Sequence, residues 1–288
     1  MSDPAPRGLS PSSFNQLNEC MRKYGYRKVA KLAPDDDIAV DVEALEFGKF
    51  LHRILELCRH DVSGVTHADV QELKNKEFLS LDDDYHVALA LAGAMAYKKI
   101  HVASGLEVVA CEEVIDNAEF FGVVDAVMKD ARGYFYVVDL KTAATFNQQL
   151  LTTLPRNVQM NLYAAQAPYL AAKLGLDPDK FLGIRYRCVT KSKAQRKMSE
   201  SMSAYVHRLA GVVRAYDITI DVAVMDPRGA LKRHKSLYDF VSKETDIEKY
   251  PQNFNACNSY YRICEFYSQC YGRKSTDAPA VKVVTSDD

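Results

Sequence analysis

Phe121-Gly-Val-Val-Asp125-Ala-Val127 and Tyr136-Val-Val-Asp139-Leu-Lys141-Thr142 decide the reading of this chain. Both are valine-rich runs interrupted by a carboxylate. Phe120 to Met128 and Tyr134 to Lys141 therefore read as strands, and Lys129-Asp-Ala-Arg-Gly133 between them as a hairpin turn. Asp139 and Lys141 are two residues apart on a strand, so both point to one face. Asp125 lies on the partner strand. Two carboxylates converging on one point repel each other unless a cation lies between them. Hard oxygen donors with open positions suit Mg2+ or Mn2+. The lysine beside them is placed to orient a water or to neutralise charge developing on phosphorus. Taken alone, Asp-x-Lys also fits a strand-end salt bridge in an unrelated α/β protein.

Working outward, Glu107 to Asp116 reads as a third strand. Upstream, Ser10 as N-cap and Pro11 at the first helical position start a helix carrying Phe14, Leu17 and Cys20. Glu43 to His60 is a second helix, with Phe47, Phe50, Leu51, Ile54, Leu57 and Cys58 at helical spacing. A third covers about 82–104. Downstream come a helix over 156–173, a strand over Leu182 to Val189 and a helix over Ser203 to Tyr216. The order predicts an α/β domain, a mixed central β-sheet flanked by helices. Residues 1–8 read as a flexible leader, 9–272 as a single domain and 273–288 as a flexible tail.

The 288 residues carry 37 Lys+Arg against 38 Asp+Glu, a net charge of −1, which excludes a globally basic nucleic-acid coat but not a local basic groove. The longest nearly apolar run, Val87 to Tyr97, is 11 residues, too short to span a bilayer. The first residues show no apolar signal region. Together these predict a cytoplasmic protein that does not engage membranes, so its seven cysteines are read as thiols or metal ligands rather than disulfides.

Three further features bear on chemistry. His52 lies one turn after Gly48 in the second helix; glycine there costs about 1 kcal/mol relative to alanine and implies close approach of another element or a ligand. Gln159 and Tyr163 stand four apart on the helix after the Asp-x-Lys strand, so they share a face. Cys257, Cys264 and Cys270 crowd one short segment, and Cys20 is the natural fourth thiolate. Four thiolates hold Zn2+ or a [4Fe–4S] cluster. The spacing lacks the tight Cys-x2–4-Cys pairs usual for zinc.

Taken in order, His52, Gly122-x-x-Asp125, Asp139-x-Lys141 and Gln159-x-x-x-Tyr163 resemble the PD-(D/E)XK nuclease superfamily, most closely its RecB-like branch, which includes CRISPR-associated exonucleases. Leu9-Ser-Pro-Ser-Ser-Phe and Cys20-x-x-Lys-Tyr resemble the way these domains begin. The resemblance spans roughly residues 9–272. It implies a restriction-endonuclease-like core, with His52, Asp125, Asp139 and the Leu140 carbonyl as metal ligands. Lys141 would position the attacking water, and Gln159 and Tyr163 would complete the catalytic set. It also implies a [4Fe–4S] cluster on Cys20, Cys257, Cys264 and Cys270 joining the N- and C-terminal segments, with structural Zn2+ as the alternative. The gap between Cys257 and Cys264 is longer than the family's usual one. Glu112 and Glu113 precede Asp125 by one strand, and alternation does not settle which faces the site.

The implied function is a Mg2+- or Mn2+-dependent deoxyribonuclease, acting as a single-stranded DNA exonuclease in recombination, repair or phage DNA metabolism, with recombination or replication proteins as partners. One alternative is a catalytically inactive DNA-binding or assembly module on the same fold; another is a metal hydrolase acting on something other than nucleic acid. Arg185, Arg187, Lys191, Lys193, Arg196 and Lys197 form a run without an acid, and Arg228, Lys232, Arg233 and Lys235 a second cluster. Both are expected at a phosphate-binding face. Cys58, Cys111 and Cys188 fall on apolar faces and read as core residues.

Overall fold

The structure is a computed structural model that describes residues 8–33, 42–117, 120–259 and 262–271. The expected tail, and the expected leader up to Arg7, lie outside these residues. In chain order the elements are α1 (Pro11–Glu19), α2 (Met21–Tyr24), α3 (Val42–Leu57), α4 (His67–Glu77), α5 (Asp83–Ser104), β1 (Glu107–Asp116), β2 (Phe121–Lys129) and β3 (Phe135–Ala143). They continue with α6 (Gln148–Thr153), α7 (Val158–Ala165), α8 (Ala167–Leu174), β4 (Phe181–Thr190), α9 (Met202–Val212), β5 (Ala215–Asp221) and α10 (Pro227–Val241). The short pair β6 (Asn258–Ser259) and β7 (Arg262–Ile263) and helix α11 (Tyr267–Tyr271) complete the set.

The chain divides into two compact units, residues 1–11 with 41–235, and residues 12–40 with 236–288. The first holds a five-stranded mixed sheet in the order β1-β2-β3-β4-β5. Neighbours run antiparallel except β3 and β4, which are parallel. A parallel pair needs a crossover, and α6, α7 and α8 supply it. The expected hairpin forms, with Gly133 at φ 83 and Asp130 Oδ1 accepting from the backbone N–H of Arg132 and Tyr134.

Phe47, Phe50, Leu51 and Ile54 of α3 pack with Val87, Leu89 and Tyr97 of α5, with Leu209 of α9, and with Leu140 and Val189 of the sheet. Leu57, expected on the same stripe, is exposed, because α3 ends there. Cys188 is fully buried, whereas Cys58 and Cys111 are only partly so. Gly183 in β4 sits at φ 139, and a Cβ there would lie 2.1 Å from the Ile220 carbonyl oxygen. Only glycine lets β5 approach so closely.

Two expected elements differ. The single helix over 156–173 is split at Gln166 into α7 and α8, because Pro168 has no N–H to continue the ladder and instead opens a new helix. The helix expected to reach Tyr216 stops at Val212, and Ala215–Asp221 is a strand. The end of β4 captures the chain: Thr190 N–H donates to the Arg214 carbonyl at 2.8 Å, and Arg214 N–H to Thr190 Oγ1 at 2.8 Å. Pairing with β4 begins there, where Tyr216, Ile218 and Ile220 alternate with polar residues as in a strand. Helices α4 and α10 have no counterpart in the sequence reading, although Thr66 and Asp69 form a capping box at the start of α4 and α10 is strongly amphipathic with Pro227 at its first position.

The second unit gathers the N- and C-terminal segments. Arg22 donates to the Tyr250 carbonyl and to Glu248, and Arg27 pairs with Glu265. Phe266 is fully buried beside Tyr26.

Candidate active site

The β2–β3 ladder runs to Ala126↔Val138 and stops. Beyond it Asp125 takes over the ladder's role: its Oδ2 accepts the Leu140 backbone N–H at 2.5 Å. Tyr163 O–H donates to the Val123 carbonyl, on the same free stretch of β2, at 2.7 Å. The strands therefore part where the carboxylates are needed, and side chains satisfy the released backbone groups.

Helix α3 closes on this gap through Gly48, where a Cβ would stand 3.3 Å from Thr142 Oγ1. One turn later His52 Nδ1 reaches Asp125 Oδ1 at 3.2 Å. Lys141 Nζ donates to Asp139 Oδ1 at 2.6 Å, while the other oxygen, Asp139 Oδ2, is buried with no hydrogen-bond partner among the described residues. Gln159 Nε2 donates to the Tyr163 hydroxyl at 3.1 Å. The structure thus brings His52, Asp125, Asp139 and Lys141 together, with Gln159 and Tyr163 bracing β2 beside them.

Glu112 completes the cluster. Ligand atoms of His52, Glu112 and Asp125 lie within 4.8 Å of one another. Glu113 turns away to pair with Lys173 at 2.5 Å. Alternation failed to decide between them for a geometric reason. The β1–β2 register slips between Val108 and Ala110, and Glu112 sits at φ 46, in the left-handed region. A glutamate there is uncommon and strained. The strain aims its carboxylate at Asp125.

The titration of these groups follows from burial and charge. Burial pushes the Glu112 carboxyl up to about 7; the Asp125 charge adds to this and His52 opposes it. Burial likewise raises Asp139 to about 6 against the pull of Lys141. Burial works against Asp125 too, but the hydrogen bond and charge of His52, then Lys141 and the Leu140 N–H, hold it below the ordinary carboxylate range. Burial disfavours charge on His52 and Lys141, yet Asp125 raises the first and Asp139 with Asp125 the second, so Lys141 stays cationic.

Buried carboxylates with perturbed titration, one oxygen lacking any partner, and a histidine within reach form a donor set suited to a hard divalent ion. A cleft of about 700 Å³ opens onto it, lined by His52, Glu112 and Lys141 together with Lys49, Arg53 and Lys191.

Arg185 and Arg187, read from sequence as phosphate ligands, do not face this cleft. Arg185 pairs with Asp217 at 2.5 Å. Arg187 is wholly buried, donating to Asp217 at 3.1 Å, to the Tyr97 hydroxyl at 2.6 Å and to Ser104 Oγ at 3.0 Å. Tyr97 in turn meets His60 Nδ1 at 2.6 Å. Burial, helped by Arg187, holds His60 down at about 4, hence neutral. This network escapes sequence reading because its members come from three separate elements and the turn after α3. Arg196 is also engaged, with Asp84 at 2.9 Å. In the second cluster Arg228, Lys232, Arg233 and Lys235 are exposed along α10, while His234 turns inward to the Leu9 carbonyl.

In the other unit the four cysteines are reduced; Cys20 is buried and Cys257, Cys264 and Cys270 are partly so. Burial raises the Cys264 and Cys270 thiols, and Cys20 and Cys257 raise both further. Among the described residues no helix is long and apolar enough to cross a membrane.

The sequence profile of the PD-(D/E)XK nuclease superfamily matches residues 8–271. No curated protein matches the chain. A solved structure titled "Crystal structure of SSO0001" is similar at 11% identity over 88% of this chain and 96% of its own, with a TM-score of 0.29.

Proposed function

The chain belongs to the PD-(D/E)XK nuclease superfamily, a family of metal-dependent nucleases, and on that premise we propose that it is a DNA exonuclease acting on single strands in recombination, repair or phage DNA metabolism. The observation that carries the catalytic part is the partnerless buried Asp139 Oδ2 beside charged Lys141, next to the His52–Glu112–Asp125 group. The single-strand and exonuclease parts rest on the sequence resemblance to the RecB-like branch.

In this reading His52, Glu112, Asp125 and Asp139 hold Mg2+ or Mn2+, with the Leu140 carbonyl as a further donor. When bound, the ion supplies Lewis acidity at the scissile phosphate and at a water. The protein's own groups do the rest. Lys141, anchored by Asp139 at 2.6 Å and open to the cleft, orients the water and offsets negative charge on the phosphate. Asp125, gripped by the Leu140 N–H and His52, keeps a fixed orientation. Tyr163 and Gln159 hold β2 at its parting from β3. In the other unit, Cys20, Cys257, Cys264 and Cys270 hold a [4Fe–4S] cluster, with Zn2+ as the alternative occupant; this part rests on the sequence resemblance to the RecB-like branch.

End-labelled linear single strands, circular single strands and duplex DNA, each with Mg2+ or Mn2+, test the reading. Linear single strands should be degraded and circles spared, and Asp139→Asn should abolish the reaction while the far-UV spectrum is unchanged. Cleavage of circles would replace exonuclease by endonuclease action. Full activity of Asp139→Asn would remove the site.

A further inference from the structure

Loop 191–201, between β4 and α9, holds neither helix nor strand, yet it is tied down at many points. Tyr85 O–H donates to the Ser192 carbonyl and Tyr205 O–H to the Ala194 carbonyl, each at 2.7 Å. Arg208 Nη2 donates to the Gln195 carbonyl at 2.8 Å. Lys191 N–H extends β3 by donating to the Ala143 carbonyl at 2.8 Å. The loop's one acid, Glu200, turns inward and accepts both Arg208 Nε at 2.8 Å and Nη2 at 2.7 Å. Arg196 is neutralised by Asp84.

What remains pointing outward is cationic, with one apolar tip. Lys191 lines the active-site cleft, Lys193 and Lys197 are exposed, and Met198 is fully exposed. Lys191 and Lys193 have no carboxylate partner among the described residues. Met198 is the most exposed large apolar side chain among the described residues. Pinning removes the ordering cost that a mobile loop would incur on binding.

We propose that loop 191–201 is the clamp for the substrate strand. Lys191, Lys193 and Lys197 hold three consecutive backbone phosphates leading into the cleft, and the Met198 side chain lies against an unstacked base. The loop reads charge and an apolar base face, so its ligand class is a single-stranded polynucleotide. The proposal rests on the nuclease reading and names the residues that grip the strand.

The test is anisotropy of a labelled oligothymidine with the EDTA-treated protein over a salt series. The triple variant K191A/K193A/K197A should reduce the log–log salt slope by about 2, at roughly 0.7 per lost single-strand phosphate contact. K76A/K98A/K99A removes the same charge from the exposed faces of α4 and α5 and should leave the slope unchanged. Met198→Ala should weaken binding about fivefold without altering the slope, as expected for loss of a partly buried apolar contact. Equal slope changes in the two triple variants, or a wild-type slope near zero, would overturn the clamp. Unaltered affinity in Met198→Ala would overturn the base contact. Wild-type protein that binds with the expected slopes yet cleaves no DNA with either metal would remove the nuclease reading and leave the clamp standing.

Discussion

Glu112→Gln isolates the contribution of the residue that alternation could not assign. The substitution keeps the side chain's shape and removes its titration. The Glu112 carboxyl titrates near 7 because it is buried next to Asp125. A metal must displace that proton to use the oxygen. At pH 6 the proton weakens binding roughly tenfold, and at pH 8 hardly at all, as follows from a group of this pKa. Asp139, near 6, adds about a factor of two at pH 6. Calorimetric titration of Mn2+ into metal-stripped protein should therefore show wild-type affinity rising steeply from pH 6 to 8. The Glu112→Gln variant should bind more weakly at pH 8 and lose about tenfold of that rise. The metal-free protein gives a second reading with a definite sign. The folded pKa of Glu112 lies above its unfolded value, so the folded state binds the extra proton between about 4.5 and 7. Its stabilisation is full below that window and lost as pH rises through 7. Urea midpoints of wild type relative to Glu112→Gln should fall across the same window. Parallel pH profiles for the two proteins, in affinity and in midpoint, would refute the placement of Glu112 in the metal site.

Asp217→Asn leaves Arg185 and the fully buried Arg187 without a counter-charge and should cost about 3 kcal/mol in urea unfolding; a loss under about 1 kcal/mol would show that Tyr97 and Ser104 suffice. Gly183→Ala drives a Cβ into the Ile220 carbonyl at positive φ and should cost at least about 2 kcal/mol, read from the thermal midpoint; a stabilised variant would contradict the close β4–β5 approach. If the cysteines hold a metal as proposed, Cys20→Ser should release it and open residues 12–33 to protease before the sheet is cut. Iron with broad absorbance near ~400 nm in the wild type identifies the cluster, and a single zinc identifies the alternative; unchanged metal content in Cys20→Ser would exclude this residue as a ligand.

Much of the candidate site's arrangement is written in local sequence. Asp139 and Lys141 share a face because strands alternate, and Asp125 joins them because a short turn makes its strand antiparallel to theirs. Gly48 marked the close approach of α3 to β3, which delivers His52. These are short-range rules, and the structure obeys them. Other features depend on long-range placement. Glu112 was separated from Glu113 only by a register slip and a left-handed residue, which a period-two pattern cannot contain. The expected helix took in only Ala215 and Tyr216 of β5; Tyr216, Ile218 and Ile220 alternate with polar residues, and β4 offers that alternating strand an edge. Arg185 and Arg187 looked like free cations because their partners, Asp217 and Tyr97, lie 30 or more residues away. Chain neighbours decide whether a residue is charged, apolar or able to turn. Whether that charge meets a phosphate or a buried carboxylate is decided by what the rest of the chain packs against it.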